Sequence, residues 1–266
     1  MKIGLIGCGN MAGAIIDGII NKEIVNEKDI NIFDIFFPAV DKVVSKHAGI
    51  NVFESAKEIV LNSEAVILAV KPNIIASVLE DINSALEESN TLVISIAAGK
   101  TIEFIRNSLS HDNRIIRVMP NINAKVGEAI SAYTANNAAT DDDKKLCESI
   151  FGGVGEVMYL DEGLFPLFGV IGGCSPAFTY MFIDSLARAG VKNGMTKDTA
   201  LFVAAQAVLG SARMVLESGE HPWELVDKVC SPGGTTIEGV SSLQNDGFEK
   251  AILNAVNKAV EKDKKL

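Results

Sequence analysis

The chain has 266 residues, 48% of them hydrophobic and 22% charged, and a formal net charge of -10. That length suits two packed domains, the composition suits a soluble globular protein, and the acidic excess excludes nucleic acid as an expected partner. Four cysteines without metal spacing (Cys8, Cys147, Cys174 and Cys230) and an N-terminus that opens directly on a strand predict a reducing cytoplasm, no metal and no targeting segment.

The first 160 residues alternate strand and helix. "KIGLIG" (2–7) leads into an amphipathic run from Asn10 to Asn21, and "INIFD" (30–34), "AVILAV" (65–70), "TLVISI" (91–96), "IIRVM" (115–119) and "ISAYT" (130–134) follow as short β-branched runs. Helical patterns lie between several of them, as at 74–86 and 102–109, and "GEVMYL" (155–160) adds a seventh strand after "DDDKKLCESIF". Apolar strands alternating with helices predict a doubly wound parallel sheet covered on both faces. From Asp161 the strands give way to helical patterns at 176–189, 197–217, 222–229, 235–244 and from 248 onward. The expected architecture is therefore an α/β dinucleotide-type domain over 1–160 followed by an all-helical domain over 161–266.

The stretch from Gly163 to Ile183 holds 21 residues without a charge, long enough to cross a bilayer. Its glycines, with Pro166 and Pro176, predict two pieces broken in the middle, packed inside a protein or a dimer and not in a membrane.

"GLIGCGNMAG" places Gly7-x-Gly9-x-x-Ala12 after the first strand and at the opening of a helix. In that context the glycines permit a tight turn, and the helix start, with Asn10 and Met11, offers N–H groups to a pyrophosphate. Asp34 closes the second strand 22 residues after Ala12, where an acid takes ribose hydroxyls. It would repel a 2′-phosphate, and no lysine or arginine follows in "DIFFPAV", so NADH is favoured over NADPH. The alternative is that Asp34 caps a loop. Ligands of such sheets sit beyond the C-terminal ends of the strands, which makes Ala69-Val70-Lys71-Pro72, Ala97-Ala98-Gly99 and Pro120-Asn121 candidates for the nicotinamide side. Lys71 reads equally as a solvated lysine, and Pro120-Asn121 as a plain turn.

Near the C-terminus, Ser231-Pro232-Gly233-Gly234-Thr235-Thr236 interrupts helical sequence and opens a new helix. Glycines and hydroxyls before a helix start make an anion site suited to a small carboxylate; the plain reading is an inter-helix turn. The three histidines, His47, His111 and His221, lie outside the glycine-rich and strand-tip segments. One hydroxyacid dehydrogenase class uses GxxGxxxKxxxN for proton transfer, but here Pro176 follows Gly169-x-x-Gly172 at the lysine position and Tyr180 stands at the asparagine position. A cyclic iminium, already protonated on nitrogen, accepts hydride without a strong acid, and a hydroxyl near that nitrogen suffices.

"VCSPGGTTIEGVSSL", "GVIGGCSPAFTYMFIDSL", "RVMPNINAKVGEA", "VKPN" and "SIAAG" together resemble pyrroline-5-carboxylate reductase over essentially the whole chain. The resemblance implies a Rossmann-type domain, a helical domain that interlocks with its twin in a homodimer, rings of dimers in some members, and NAD(P)H-dependent reduction of 1-pyrroline-5-carboxylate, the last step of proline synthesis. It also implies that the carboxylate of this small cyclic imine rests on amides around Gly233, Gly234 and Thr235 beside Ser231, with Thr236 bonded to the ring nitrogen as the catalytic group. Cys174 and Ser175 fall on the helix facing that loop. The sequence departs from the family pattern at Gly172-Gly173-Cys174-Ser175-Pro176-Ala177-Phe178 and at Ile122-Asn123. A paralogue for a related cyclic imine, a hydroxyacid-type dehydrogenase and a non-catalytic nucleotide sensor are the competing expectations.

Overall fold

The computed structural model describes residues 1–263. Eight strands form one sheet: β1 (Ile3–Ile6), β2 (Ile30–Phe33), β3 (Asn51–Val52), β4 (Ala65–Leu68), β5 (Leu92–Ser95), β6 (Ile115–Met119), β7 (Ala129–Ala135) and β8 (Gly155–Tyr159), in the order β3-β2-β1-β4-β5-β6-β7-β8. The helices of this half are α1 (Asn10–Asn21), α2 (Phe37–Val44), α3 (Ala56–Leu61), α4 (Ile75–Glu88), α5 (Ile102–Asn107) and α6 (Asp141–Gly152).

Period-two alternation splits the strands between two cores. Ile3, Leu5, Ile30, Ile32, Ile67 and Ile94 pack with α1, α2 and α6, while Ile6, Val66, Leu68 and Val93 pack with α3, α4 and α5. Both sheet faces are thus buried, which is why the strands read as unbroken apolar runs. Gly4 allows α3 its close approach, since a Cβ there would stand 2.4 Å from Ile59 Cγ2.

Two features depart from the sequence-based expectation. β7 runs antiparallel to β6, and β8 runs parallel to β7, so the sheet is mixed at this edge. The link from Met119 to Ala129 is too short for the crossover that a parallel pair needs. The short elements β3, α2 and α3 gave no sequence signal: β3 is two exposed residues, and α3 spans six.

Contacts divide the described chain into two compact units, Met1–Gly173 and a second from Cys174 onward. The first unit runs past Leu160 because Glu162 pairs with the buried Arg117 at 2.9 Å and Phe165, fully buried, lies under the same guanidinium. After a short helix α7 (Phe165–Phe168) the backbone winds as a π-turn over Gly169–Cys174 and continues directly into α8 (Ser175–Lys192). The expected break inside residues 163–183 is therefore absent. The helical path is continuous, and looser i→i+5 winding accommodates the glycines and Pro176.

The second unit also holds α9 (Lys197–Ser218), α10 (Pro222–Val229), α11 (Thr235–Asn245) and α12 (Phe248–Asp263). Side-chain caps fix two of these starts: Thr196 accepts from the Thr199 N–H, and His221 with Glu224 forms a capping box. α8 packs along α9, α11 packs on α12, and Phe182 meets Phe248 with ring centroids 6.0 Å apart.

Candidate active site

Because β1, β2, β4, β5 and β6 are parallel, their C-terminal ends share one edge of the sheet. That edge carries Gly7 to Ala12, Asp34, Ala69–Pro72, Ala97–Gly99 and Pro120–Asn121, so every residue expected on the cofactor side belongs to one edge of one unit. β1 lies between β2 and β4, the point where the strand order reverses and where open α/β sheets bind ligands.

The turn after β1 shows why glycine is needed. Gly7 has φ +101°, and a Cβ on it would stand 2.6 Å from the Ala69 carbonyl oxygen. Beyond it, the N–H groups of Gly9, Asn10, Met11 and Ala12 have no partner among the described residues, α1 has no side-chain cap, and no acid stands in its first turn. Four free amides at a helix start fit a pyrophosphate, and space for a Cβ beside Gly9 is open.

Asp34 does more than end β2. Its Oδ2 accepts the Cys8 N–H at 2.7 Å, and its Oδ1 accepts the Phe36 N–H at 2.8 Å. The carboxylate therefore joins the glycine turn to the entry of α2, the loop-capping role read from sequence as the alternative. Each oxygen keeps further acceptor capacity for a hydroxyl. Cys8 beneath it is buried, and burial, then the Asp34 charge, push its thiol up to about 12. It stays protonated at neutral pH and serves as a small packing group.

The same turn opens on a cleft of about 600 Å³ whose lining includes Gly9, Asn10, Phe36, Lys42, Lys46 and Lys125. Lys46 is paired with Asp17 at 2.5 Å, whereas Lys42 and Lys125 carry no ion pair among the described residues. The sequence reading passed over these cations. Lys42 lies two residues beyond "DIFFPAV", and Lys125 is brought in from the 3-10 turn Ile122–Val126 after β6. Lys71 is exposed at the β4 tip and accepts the Ile74 N–H through its carbonyl. Asn121, by contrast, is buried, and its side-chain amide donates to the Gly172 carbonyl at 2.8 Å.

In the second unit, Ser231 to Gly234 form the turn before α11. Gly233 takes φ +67°, and the Gly234 N–H returns to the Ser231 carbonyl at 3.0 Å. That one amide is spent on the turn. The N–H groups of Gly233, Thr235 and Thr236 have no partner among the described residues, and α11 begins at Thr235 without a side-chain cap. Thr236 is half-buried, and Ser231, Gly233 and Thr235 are exposed. Cys174, exposed, precedes α8 without capping it, and Ser175 is half-buried as its first residue. Among the described residues no group of three or more His, Cys, Asp or Glu side chains could hold a metal ion.

A doubly wound sheet with a glycine turn, an uncapped helix start and an acid ending β2 defines a nicotinamide-dinucleotide-dependent oxidoreductase of Rossmann type. Residues 162–266 match the family described as pyrroline-5-carboxylate reductase dimerisation, and residues 2–99 match that described as NADP oxidoreductase coenzyme F420-dependent. The chain is similar to the pyrroline-5-carboxylate reductase of Escherichia coli K12, at 45% identity over 268 residues, covering 100% of this chain and 98% of the relative. It is also similar to a solved pyrroline-5-carboxylate reductase of Coxiella burnetii (TM-score 0.93, 33% identity, 99% and 97% covered). Another solved neighbour is a Plasmodium falciparum pyrroline carboxylate reductase with NADP bound (TM-score 0.86, 33% identity, 99% and 97% covered). The chain belongs to the pyrroline-5-carboxylate reductase family.

Proposed function

We propose that this chain reduces 1-pyrroline-5-carboxylate to proline with a reduced nicotinamide dinucleotide, the last step of proline synthesis. The carrying observation is the uncapped start of α11, where Ser-Pro-Gly-Gly-Thr-Thr leaves the Gly233, Thr235 and Thr236 amides free. The full-length likeness to the E. coli enzyme supports the same reading.

The roles follow from the chemistry of each group. Free amides at a helix start hold the substrate carboxylate without adding a charged side chain, and the Ser231 hydroxyl stands beside them. The Thr236 hydroxyl, which has no partner among the described residues, accepts from the ring N–H and orients the C=N carbon. The substrate enters as a protonated iminium, so the protein need supply no strong acid; the α11 start holds it in one orientation, and such orientation is worth roughly 7–11 kcal/mol. The dinucleotide supplies the hydride when bound. Gly9 to Ala12 hold its pyrophosphate, and the strand tips at Ala69–Pro72 and Ala97–Gly99 line its nicotinamide half. Asp34 supports NADH over NADPH, because a 2′-phosphate would meet its charge. Cys174 and Ser175 line the substrate side and mark where this chain's pocket differs from the common family pattern.

The helical half pairs two copies, and rings of such dimers are the larger assembly. Two helical stretches, Glu162–Lys192 and Lys197–Ser218, are long and apolar enough to cross a membrane by length and composition. Pairing with a second copy accounts for their apolar surface without a bilayer, in keeping with a cytoplasmic enzyme that binds neither membrane nor nucleic acid.

The test is NADH oxidation with pyrroline-5-carboxylate, piperideine-carboxylate and pyruvate offered separately. Turnover is expected with the first. Turnover with pyruvate alone would replace this reading by a carbonyl dehydrogenase. Thr236→Ala should lower turnover about 10²-fold or more while NADH binding stays unchanged, the scale of a positioned proton-handling group. Loss of NADH binding with turnover per bound cofactor intact would remove Thr236 from the site.

A further inference from the structure

Pro176 lies in the first turn of α8 and has no N–H. Counted in the i→i+4 register of α8, the donor to the Gly172 carbonyl would be the N–H of residue 176, which a proline lacks. Asn121, 51 residues away at the tip of β6, fills the place: its Nδ2 donates to Gly172 O at 2.8 Å, and both residues are buried. Asn121 Oδ1 has no partner among the described residues, so the amide orientation is set by the carbonyl alone. The same strand end presses on the start of the π-turn, where a Cβ on Gly169 would stand 3.2 Å from Met119 Sδ.

We propose that Asn121 is a positioning residue whose side-chain amide replaces the backbone N–H missing at Pro176, latching the cofactor-side tip of β6 to the π-turn Gly169–Cys174. Nδ2 gives one of its two hydrogens to Gly172 O and the residue is 6% exposed, so its proposed role is to place the chain and not to bind the cofactor. It acts through the π-turn, whose last residue is Cys174 and after which Ser175 begins α8. A side chain replaces a backbone donor here because the π-turn brings Gly172 O to face β6, and an asparagine at the end of that strand reaches it without disturbing the ladder. The inference rests on the reading that Cys174 and Ser175 line the substrate side.

The test is a cycle of Asn121→Ala, Pro176→Ala and the double variant in the full-length chain. It is read by the KM for pyrroline-5-carboxylate, the Kd for NADH by fluorescence, and the urea unfolding midpoint. Losing the donor leaves a buried carbonyl unsatisfied, so Asn121→Ala should raise KM about tenfold with the NADH Kd within about twofold. Pro176→Ala returns an N–H to position 176, and in that background Asn121→Ala should change KM by no more than about twofold and the midpoint hardly at all. Failure of Asn121→Ala to fold, with folding restored by Pro176→Ala, also supports the latch. An equal effect in both backgrounds overturns it, and a shifted midpoint with unchanged KM reduces Asn121 to a packing residue. If the unmodified chain does not reduce pyrroline-5-carboxylate, the functional reading falls, while the unfolding cycle still decides the latch.

Discussion

Asp34 shows how one side chain can carry two duties. Read from sequence it is the acid at the end of β2 that selects a ribose, and in the fold it accepts backbone N–H groups from Cys8 and Phe36. Asp34→Ser should therefore do two things together. The ratio of NADH to NADPH affinity should move toward NADPH, since the repelling charge is gone. Stability should drop by about 1.5–3 kcal/mol, the scale of hydrogen bonds to a charged group. Titrating both cofactors beside urea unfolding separates the effects. An unchanged affinity ratio with lowered stability would leave Asp34 as a loop cap and nothing more.

Among the elements, α6 exposes an acid-sensitive joint. Thr140 and Asp143 form a capping box at its start, and Asp143 also pairs with Arg114 at 2.5 Å. Burial pushes the Asp143 carboxyl up, but hydrogen bonds from the Thr140 N–H and hydroxyl and the Arg114 charge outweigh it and hold the group below its usual range. A carboxyl whose folded pKa is depressed stabilises the fold above the unfolded value of about 3.9 and loses that contribution as pH falls through the folded value. Asp143→Asn should thus cost about 1.5–3 kcal/mol at pH 7 and less at pH 3, which lies below the unfolded value. Urea denaturation at both pH values checks it; an equal loss at both would assign the effect to packing and not to charge.

At the level of the whole molecule, the helical half cannot be understood as one copy. Among the described residues of α8 to α12 the buried ones are Pro176, Ala187, Ala200 and Ala204, with no large side chain among them, whereas Phe202, Leu209 and Leu216 lie seven apart along α9 and are 71%, 57% and 83% exposed. Such a stripe is one apolar helix face without a covering layer. The stripe falls within residues 162–266, which match the pyrroline-5-carboxylate reductase dimerisation family, and a second copy is the cover proposed for it. Phe202→Asp should give a monomer by light scattering and loss of helical signal on dilution, because a charge replaces an aromatic worth about 1.5–3 kcal/mol when buried. A dimer of unaltered mass and midpoint would move the interface elsewhere.

The sequence by itself determined the local matters: the strand–turn–helix of the glycine fingerprint, the β2 acid, the helix starts at Lys197, Pro222 and Thr235, and the change of texture near residue 160. These are legible because each depends on residues within one or two turns of one another, where backbone sterics and capping act. Only the tertiary structure decided the reversed direction of β7, the uninterrupted helix through Gly169–Cys174, the double use of Asp34, and the placing of Lys42 and Lys125 on one cleft. Asn121 shows why. Nothing near it in the chain signals a partner 51 residues on, and the need it meets is created by a proline that is itself unremarkable at a helix start. Long-range hydrogen bonds follow from the path of the chain in space, and that path is fixed by the burial of whole elements, not by any short stretch of residues.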